Sequence, residues 1–249
     1  QTCALPISES QARLNTELLT EILKIKPEKW KKVIHQGRLD FTAGEDITQV
    51  LKTQVNNSCL WRLQYFGENS IEEAAQAQVI GNFVESPFFL EMRTNQQLGY
   101  IVWGGAASAE KSSYFYFIIQ SGNHPAEYLA NHAEQFSLTL PDSLRQLPEE
   151  EFLVIKNSVI EKIKEKPTSI AEQAGKYYTL AFDYNGNFDR NEELIQAVES
   201  LTREKSIEVL STVLANETLE RATVLLYAKE HKVGERSEEH TSELQSRAY

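Results

Sequence analysis

Two side chains, Arg93 and Tyr100, are suited to chemistry by their types and spacing. A guanidinium group is always charged and offers several N–H donors in one plane, which suits a peptide carbonyl or a developing oxyanion. A tyrosine hydroxyl can donate to the same oxygen, and one such donor is worth roughly 3–4 kcal/mol in comparable oxyanion holes. From spacing alone, ordinary structural roles are favoured, because an arginine near a helix end often caps carbonyls and a strand tyrosine often packs.

The other reactive side chains do not predict a metal or phosphate site. His124 and His132 flank the start of a predicted helix, with no cysteine or third histidine at ligand spacing. Gly104 and Gly105 are not followed by the remainder of a phosphate-binding loop. Residues 236–240 approach the inverted zinc motif H-x-x-E-H, but Arg236 stands where the first histidine is needed. We therefore predict no metal ligand set in this chain.

The elements that must position the two donors are predicted to be two helices and a hairpin. Ser70 and Glu73 form a capping box that opens an alanine-rich helix over 71–85. Pro87 predicts the first position of a second, short helix that ends near residue 96. The hairpin is predicted from two β-rich runs, 98–103 and 114–120, separated by the small, polar segment 104–113.

The order of the remaining elements predicts the fold class. Residues 35–46 are polar and form a predicted connection into this domain. Further strands are predicted at 59–66 and 221–227, and helices at 125–139, 148–165, 168–182 and 202–214. Strands followed by runs of helices indicate an α+β fold, a two-layer sandwich with a mostly antiparallel sheet and helices packed on one face.

The composition is that of a globular, acidic chain. It contains 41% hydrophobic and 24% charged residues, and 25 basic against 36 acidic side chains give a formal net charge of −11. Nucleic-acid binding needs clustered lysine and arginine, and a membrane span needs roughly 18 consecutive apolar residues. We expect neither nucleic acid nor membrane as a partner, and a soluble protein whose compartment, cytoplasmic or periplasmic, stays open.

The segment 87–102, PFFLEMRTNQQLGYIV, is the most informative part of the sequence. It resembles the C-terminal half of the pitrilysin and insulin-degrading-enzyme family of inverted zinc metallopeptidases, in which L-R-T-x-x-Q-L-G-Y-x-V is a hallmark. The match is interrupted only by Met92 in place of leucine. FIIQS at 117–121 and NFDR at 187–190 match in the same order, so the resemblance covers about residues 41–229.

The resemblance implies a zinc-dependent endopeptidase that degrades peptides and small proteins. Its four similar α+β domains, two in each half, would close into a chamber. The N-terminal half would be the partner of this part and would bind the zinc. Residues 38–233 would be the last, non-zinc domain and a chamber wall, and residues 9–37 the trailing helices and linker of the domain before it.

The resemblance also implies roles for three side chains. Arg93 and Tyr100 would reach across the chamber to the substrate and its transition state. Phe89, one helical turn before Arg93, would line a pocket for a substrate side chain, and a core position beside Phe88 is the alternative.

Both ends of the chain look foreign to a folded protein. Residues 1–8 and 236–249 resemble translations of a sequencing adaptor, one for each strand, and neither has the apolar periodicity of a folded element. A natural polar tail is the alternative. On the adaptor interpretation the chain is a fragment, and without H-x-x-E-H it should be inactive alone.

Two functions from different classes follow. The first is the non-zinc part of a peptidase, and the second is a non-catalytic scaffold or peptide-binding subunit of the same fold. The presence of Arg93 together with Tyr100 favours the first, because a scaffold has no need for both donors.

Overall fold

The computed structural model describes residues 17, 21, 44–68, 70–109, 112–215 and 219–233, the side chain of residue 109 excepted. The chain divides into two units, 1–40 and 41–249, and the described residues lie almost entirely in the second. Glu17 and Glu21 are helical. The adaptor-like ends 1–8 and 236–249, the zinc-like segment with Arg236, and nearly all of 9–37 lie outside the described residues, so the predictions made for them stay predictions.

The described strands form one sheet. They are β1 (Asp46–Lys52), β2 (Ser58–Glu68), β3 (Ile101–Ala109), β4 (Ser112–Ser121) and β5 (Arg221–Tyr227). Their order across the sheet is β1-β5-β2-β4-β3, and every neighbouring pair is antiparallel except β1 and β5. The predicted, mostly antiparallel sheet is confirmed.

Six α-helices occur in the described part of the chain. They are α1 (Ile71–Phe89), α2 (Ala126–Gln146), α3 (Glu149–Lys164), α4 (Ile170–Tyr178), α5 (Arg190–Ser200) and α6 (Arg203–Val213). Helices α1 and α4 continue as π-helices over Leu90–Asn95 and Thr179–Asp183. As the capping box predicts, Ser70 accepts a hydrogen bond from the backbone N–H of Glu73 at 3.2 Å. Within these helices, none is long and apolar enough to cross a membrane.

The helices pack on one face of the sheet. Alternate side chains of the central strands are buried on that face, including Leu60, Phe117 and Leu225. The buried ring of Phe88 in α1 lies 4.8 Å from the ring of Phe117 and 5.3 Å from that of Phe136 in α2, measured between centroids. The two-layer α+β class predicted from the order of elements is therefore confirmed.

The prediction that Pro87 begins a second helix is wrong. Pro87 lies inside α1, which runs without interruption to Phe89. Phe88 and Met92, on either side of that helix end, have no exposed surface. Burial of these side chains outweighs the one backbone hydrogen bond that an interior proline removes.

Three other boundaries also differ from the sequence prediction. The hairpin is confirmed, but its strands extend through most of 104–113, to Ala109 and again from Ser112. Helix α2 continues beyond residue 139 and contains Pro141.

Strand β1 and helix α5 were not predicted. Both are short and have few large apolar side chains, so their periodicity is weak.

Helix α1 approaches strand β3 closely because Gly81 has no side chain. A β-carbon at this position would lie 2.5 Å from Cβ of Ala106 and 2.7 Å from its backbone nitrogen. Backbone atoms cannot rotate away as the end of a side chain can, so any larger residue would displace the helix from the sheet.

Four charged side chains connect the sheet to helix α2. Buried Arg62 of β2 donates to Oε2 of Glu134 at 2.7 Å and to Oγ1 of Thr223 at 3.3 Å. Glu134 also accepts from Arg221 of β5, whose Nε donates to Oδ1 of Asp46 at 3.0 Å. Burial and the neighbouring Arg221 lower the pKa of Arg62 to about 10, although Glu134 acts in the opposite direction. Glu134 therefore compensates two guanidinium groups.

We expect Gly81→Ala to lower the free energy of unfolding by about 1–3 kcal/mol, because the added methyl group meets the backbone of β3. This loss should outweigh the roughly 1 kcal/mol that alanine contributes as a better helix former. Gly175→Ala in α4 is the matched control, since nothing lies within 4 Å of its added β-carbon. Urea unfolding should show destabilisation for the first variant and stabilisation for the second, and effects of the same sign would contradict the close approach.

Glu134→Gln should lower the free energy of unfolding by about 2–3 kcal/mol, because it leaves Arg62 buried without a carboxylate. The expected loss is below the ~3–5 kcal/mol of a fully buried pair, since Glu134 is partly exposed. The control is Glu150→Gln in the exposed first turn of α3, with a change below about 1 kcal/mol. Equal thermal stabilities of the two variants would rule out a structural role for the network.

Candidate functional site

The chain leaves helix α1 through a widened turn that carries Arg93. Residues Leu90–Asn95 are π-helical, and the N–H of Gln96 donates to the carbonyl of Glu91, five residues earlier, at 3.0 Å. Such turns are rare and occur frequently at functional sites. Because Met92 is completely buried, the turn is anchored in the core directly beside Arg93.

A tight reversal then returns the chain to the sheet. Gln97 has a φ of 53°, in the left-handed region. The N–H of Leu98 donates back to the carbonyl of Met92 at 2.8 Å, and the side chain of Leu98 is buried. Buried side chains therefore fix both ends of the reversal that separates Arg93 from Tyr100.

Gly99 is required because the chain passes very close to strand β4. A β-carbon on Gly99 would lie 2.2 Å from the carbonyl oxygen of Gln120, far inside any tolerated contact. The same carbonyl accepts the N–H of Tyr100 at 3.1 Å. This contact fixes the backbone of Tyr100 at the start of β3.

The three side chains singled out from the sequence come together in space. The guanidinium carbon of Arg93 lies 5.2 Å from the ring centroid of Phe89 and 4.8 Å from that of Tyr100. Phe89 is 41% exposed and Tyr100 is 79% exposed, whereas Phe88 is fully buried. Phe89 is thus not a core residue, and the cluster of Phe89, Arg93 and Tyr100 forms a solvent-accessible donor site.

Arg93 is held by aromatic rings and not by an acid. Among the described residues, no carboxylate lies within 4.0 Å of its guanidinium nitrogens. Contact with an aromatic face is worth about 0.5–2 kcal/mol and leaves the N–H donors at the edge of the guanidinium plane. The described surroundings therefore orient the cation without using its hydrogen-bonding capacity.

Glu91 lies two residues before Arg93 and supports the site through hydrogen bonds to the following residues of the turn. Its carboxylate accepts hydrogen bonds from Nδ2 of Asn95 and Nε2 of Gln96, each at 2.7 Å. These bonds, that from Gln96 first, lower the pKa of Glu91. Sequence reasoning missed this residue, although a glutamate four residues before an asparagine on a helix is a recognisable pair.

The face of the sheet opposite the helices, called here the open face, carries one charged side chain in the described strands, that of Glu68 at the end of β2, which is paired with Ser112. Strand register places the following residues on it: Ile47, Gln49, Leu51, Cys59, Trp61, Leu63, Tyr65, Ile101, Trp103, Gly105, Ala107, Tyr114, Tyr116, Ile118, Gln120, Ala222, Val224 and Leu226. One row across the strands pairs Trp103 with Ile118, Ile118 with Trp61, and Trp61 with Val224. Tyr100 directly precedes β3, and its ring contacts Arg93 just beyond the end of α1.

The remaining reactive side chains do not form a second site. Tyr128 lies between His124 and His132, with ring centroids 4.8 Å and 4.3 Å away. In the described ranges, no group of three or more histidine, cysteine, aspartate or glutamate side chains could hold a metal ion. Gly104 and Gly105 lie within β3 and not in a loop.

Comparison with protein families gives one match that includes the whole donor site. The model of the family described as PQQ synthase PqqF-like, C-terminal lobe domain 4, matches residues 79–178. This range contains Phe89, Arg93 and Tyr100 together with strands β3 and β4.

Known proteins with similar sequences are peptide-processing enzymes by name. Human insulin-degrading enzyme is 28% identical over 177 residues, which are 71% of this chain and 17% of that enzyme. The A-factor-processing enzyme of Saccharomyces cerevisiae is 24% identical over 170 residues, which are 68% of this chain and 16% of that enzyme. Protease 3 of Salmonella typhi is 28% identical over 142 residues, or 56% and 14%. The chain therefore spans only a small part of the length of these relatives.

Solved structures show the same fold. The crystal structure of pitrilysin matches with a TM-score of 0.72 and 20% identity, over 92% of this chain and 24% of the pitrilysin chain. The peptidase M16 inactive domain from Pseudomonas fluorescens matches with a TM-score of 0.65 and 16% identity, over 91% of this chain and 52% of that one. Sequence and fold together show that this chain is homologous to the C-terminal region of insulin-degrading enzyme and protease 3 and has the fold of a peptidase M16 C-terminal domain.

Proposed function

We propose that this chain acts as the non-zinc C-terminal domain of a zinc-dependent endopeptidase, and that Arg93 and Tyr100 contact the peptide substrate. The observation that carries the proposal is the guanidinium of Arg93, held between two rings with no carboxylate beside it in the described part of the chain. Homology to the C-terminal regions of insulin-degrading enzyme and protease 3 supports a peptidase as the parent.

The two donors suit the hydrolysis of a peptide bond. Negative charge develops on the carbonyl oxygen as the bond is attacked, and donors oriented in advance stabilise that charge. The exposed hydroxyl of Tyr100 can donate to this oxygen, while the planar guanidinium of Arg93 can hold the same oxygen or an adjacent substrate carbonyl. Phe89, on the other side of Arg93, offers an aromatic surface to a neighbouring substrate side chain.

The zinc of such an enzyme does not fit the residues described here, since they offer no cluster of metal ligands. We assign zinc binding to an N-terminal half, which is then the partner of this domain. The open face of the sheet supports the further assignment of a chamber wall, because a largely apolar exposed surface suits contact with peptide or protein. The sequence resemblance supports this division, because it implies that zinc is bound in the other half.

A non-catalytic scaffold of the same fold is the second candidate. It is favoured by the similarity to a solved domain described as the inactive domain of a peptidase M16 protein. The aromatic arrangement around Arg93 supports the first candidate instead, because a scaffold gains little from exposing Phe89, Arg93 and Tyr100 in one cluster.

Tyr100→Phe should lower kcat/KM by on the order of a hundredfold if the hydroxyl donates to the oxyanion. The assay combines this chain with the zinc-bearing half of the parent enzyme and follows cleavage of a quenched fluorescent peptide. Tyr177→Phe is the matched control, because Tyr177 is an exposed tyrosine of α4, on a different element. Unchanged turnover in Tyr100→Phe would reject the donor role, and the absence of H-x-x-E-H from the parent coding sequence would favour the scaffold.

The Glu91 carboxyl should titrate below the ordinary glutamate pKa of about 4.3, because the ionised form accepts both amide hydrogen bonds. A lowered folded-state pKa means that this contribution to stability is present above the unfolded pKa and is lost as the pH falls through the folded pKa. NMR of the carboxyl carbon and of the Gln96 side-chain amide checks the expectation. The amide signal should move with the carboxyl titration in the native chain and be insensitive to it in Glu91→Gln. A carboxyl that titrates above the ordinary value would contradict the arrangement.

A further inference from the structure

We propose that a cavity between the widened turn Leu90–Asn95 and helix α2, called here the α2 cavity, binds a primary ammonium group on an aliphatic chain. Glu91 lines this cavity, and Arg93 lies two residues further along the turn. Side chains two positions apart on a helix do not face each other. The α2 cavity is therefore distinct from the donor site, and the proposal does not depend on a role of Arg93 or Tyr100 in peptide hydrolysis.

The α2 cavity is large enough for a small organic cation. Its volume is about 380 Å³, compared with the roughly 30 Å³ that one water molecule occupies in the liquid. Its lining combines the apolar side chains of Pro87, Leu90 and Phe136 with the polar side chains of Glu91, Gln96 and His132. A ligand with both an aliphatic and a polar part fits such a lining.

Two polar atoms of this lining lack a hydrogen-bond partner among the described residues. They are Oε1 of Gln96 and Nδ1 of His132, and both are shielded from bulk water. The Gln96 amide cannot be reversed, because its Nε2 donates at 2.7 Å to the Glu91 carboxylate, which only accepts. In a neutral His132 with the proton on Nε2, Nδ1 is an acceptor as well. A buried acceptor without a donor is unfavourable, so a donor in the cavity would stabilise the fold.

Glu91 adds a negative charge that no described cation balances. No nitrogen of a described lysine, arginine or histidine lies within 4.0 Å of its carboxylate, and His132 is thus not its partner. The side-chain amides of Gln96 and Asn95 hold the carboxylate in place and lower its pKa, so it is ionised at neutral pH. They use two of its roughly four acceptor positions, which leaves room for a further donor.

Three acceptors, one of them charged, select an ammonium group. This group has one positive charge, three N–H donors and no acceptor. A metal ion is a poorer match, because the described ranges contain no group of three or more histidine, cysteine, aspartate or glutamate side chains that could hold one. The apolar part of the lining suits the methylene chain that carries the ammonium group in a lysine side chain or a free alkylamine.

A ligand can reach the shielded acceptors from the solvent side of α2. Gln135 and Thr139 line the cavity and have exposed side chains. Exposed side chains change rotamer within nanoseconds, so these two can move aside without a change in the backbone. The entering ammonium group exchanges part of its hydration for charge-assisted hydrogen bonds.

The test is a titration of this chain with n-butylammonium chloride, followed by NMR of the Gln96 side-chain amide and the His132 ring. We expect saturable shifts of both signals. Tetramethylammonium has the same charge but no N–H donor, and n-butanol has the same aliphatic chain without the charge. Both should bind at least about tenfold more weakly, because they cannot form hydrogen bonds from a charged donor.

Two further probes distinguish the sources of the ammonium group. Acetyl-lysine N-methylamide presents this group as a peptide side chain, and the matched norleucine compound lacks it. Tighter binding of the lysine compound than of n-butylammonium would identify a peptide or protein lysine as the ligand. Weaker binding would identify a free alkylamine, with the same ammonium chemistry.

Variants assign the binding to the α2 cavity. Gln96→Met and His132→Phe each remove one acceptor, and each should raise the Kd of n-butylammonium about tenfold or more. His124→Phe is the matched control and should leave the Kd unchanged, because His124 also stacks on Tyr128 but is not part of the lining.

Three outcomes would overturn the proposal. Equal binding of tetramethylammonium, or shifts that do not saturate, would show only a surface attraction to an acidic chain. A Kd that neither Gln96→Met nor His132→Phe changes would place the ligand elsewhere. The comparison of probes uses the unmodified chain, so the proposal stays testable even where a variant folds poorly.

Discussion

The close approach of Gly99 to the carbonyl oxygen of Gln120 governs the geometry of the donor site. Because a β-carbon there would lie 2.2 Å from that oxygen, no other residue type fits at position 99 without moving β4 or the turn. The hydrogen bond from Tyr100 to the same carbonyl then fixes where β3 starts. Buried Met92 and Leu98 hold the turn in place from the other side. The separation of Arg93 from Tyr100 is thus set by backbone packing and not by the flexible side chains themselves.

The two faces of the sheet differ in how many charged side chains they carry, and this difference organises the domain. On the helix side, Arg62, Glu134, Arg221 and Asp46 satisfy one another at the junction of β1, β2, β5 and α2. On the open face, the register of the described strands places one charged side chain, Glu68, at the end of β2. The usual arrangement for a sheet with one covered face places polar side chains on the other. Here that alternation is absent, which is why the open face is a candidate for contact with peptide or protein.

How far the sequence predicts this structure depends on the range of the interactions. The capping box at Ser70 and the α+β order of elements rest on local signals, and both were predicted correctly. The continuation of α1 through Pro87 was missed because it depends on burial of Phe88 against β4, a contact distant in sequence. The π-helical turn was missed for a similar reason, since the burial of Met92 gives no periodic signal of its own.

In the donor site, too, local features could be predicted from the sequence, whereas features that depend on the three-dimensional packing could not. The types of Arg93 and Tyr100, and the family resemblance around them, predict a shared cleft. In the structure, the guanidinium carbon of Arg93 lies 4.8 Å from the ring centroid of Tyr100. Phe89 left a choice between core and surface that periodicity did not decide, because two adjacent phenylalanines on one helix differ only by rotation about its axis. The hydrogen bonds of Glu91 to Asn95 and Gln96 depend on the geometry of the widened turn and were not anticipated.

Strand order also has a consequence for how this domain is made in the cell. Strand β5 comes last of the described strands along the chain but lies between β1 and β2. The pairing partner of β1 therefore leaves the ribosome only when residues 221–227 have been synthesised. Until then one edge of β2 is unpaired, and an unpaired edge in a nascent chain is prone to association with other chains. The sheet closes late by inserting a strand into its middle, so β1 and β2 lack this neighbour until the residues between β2 and β5 have been synthesised.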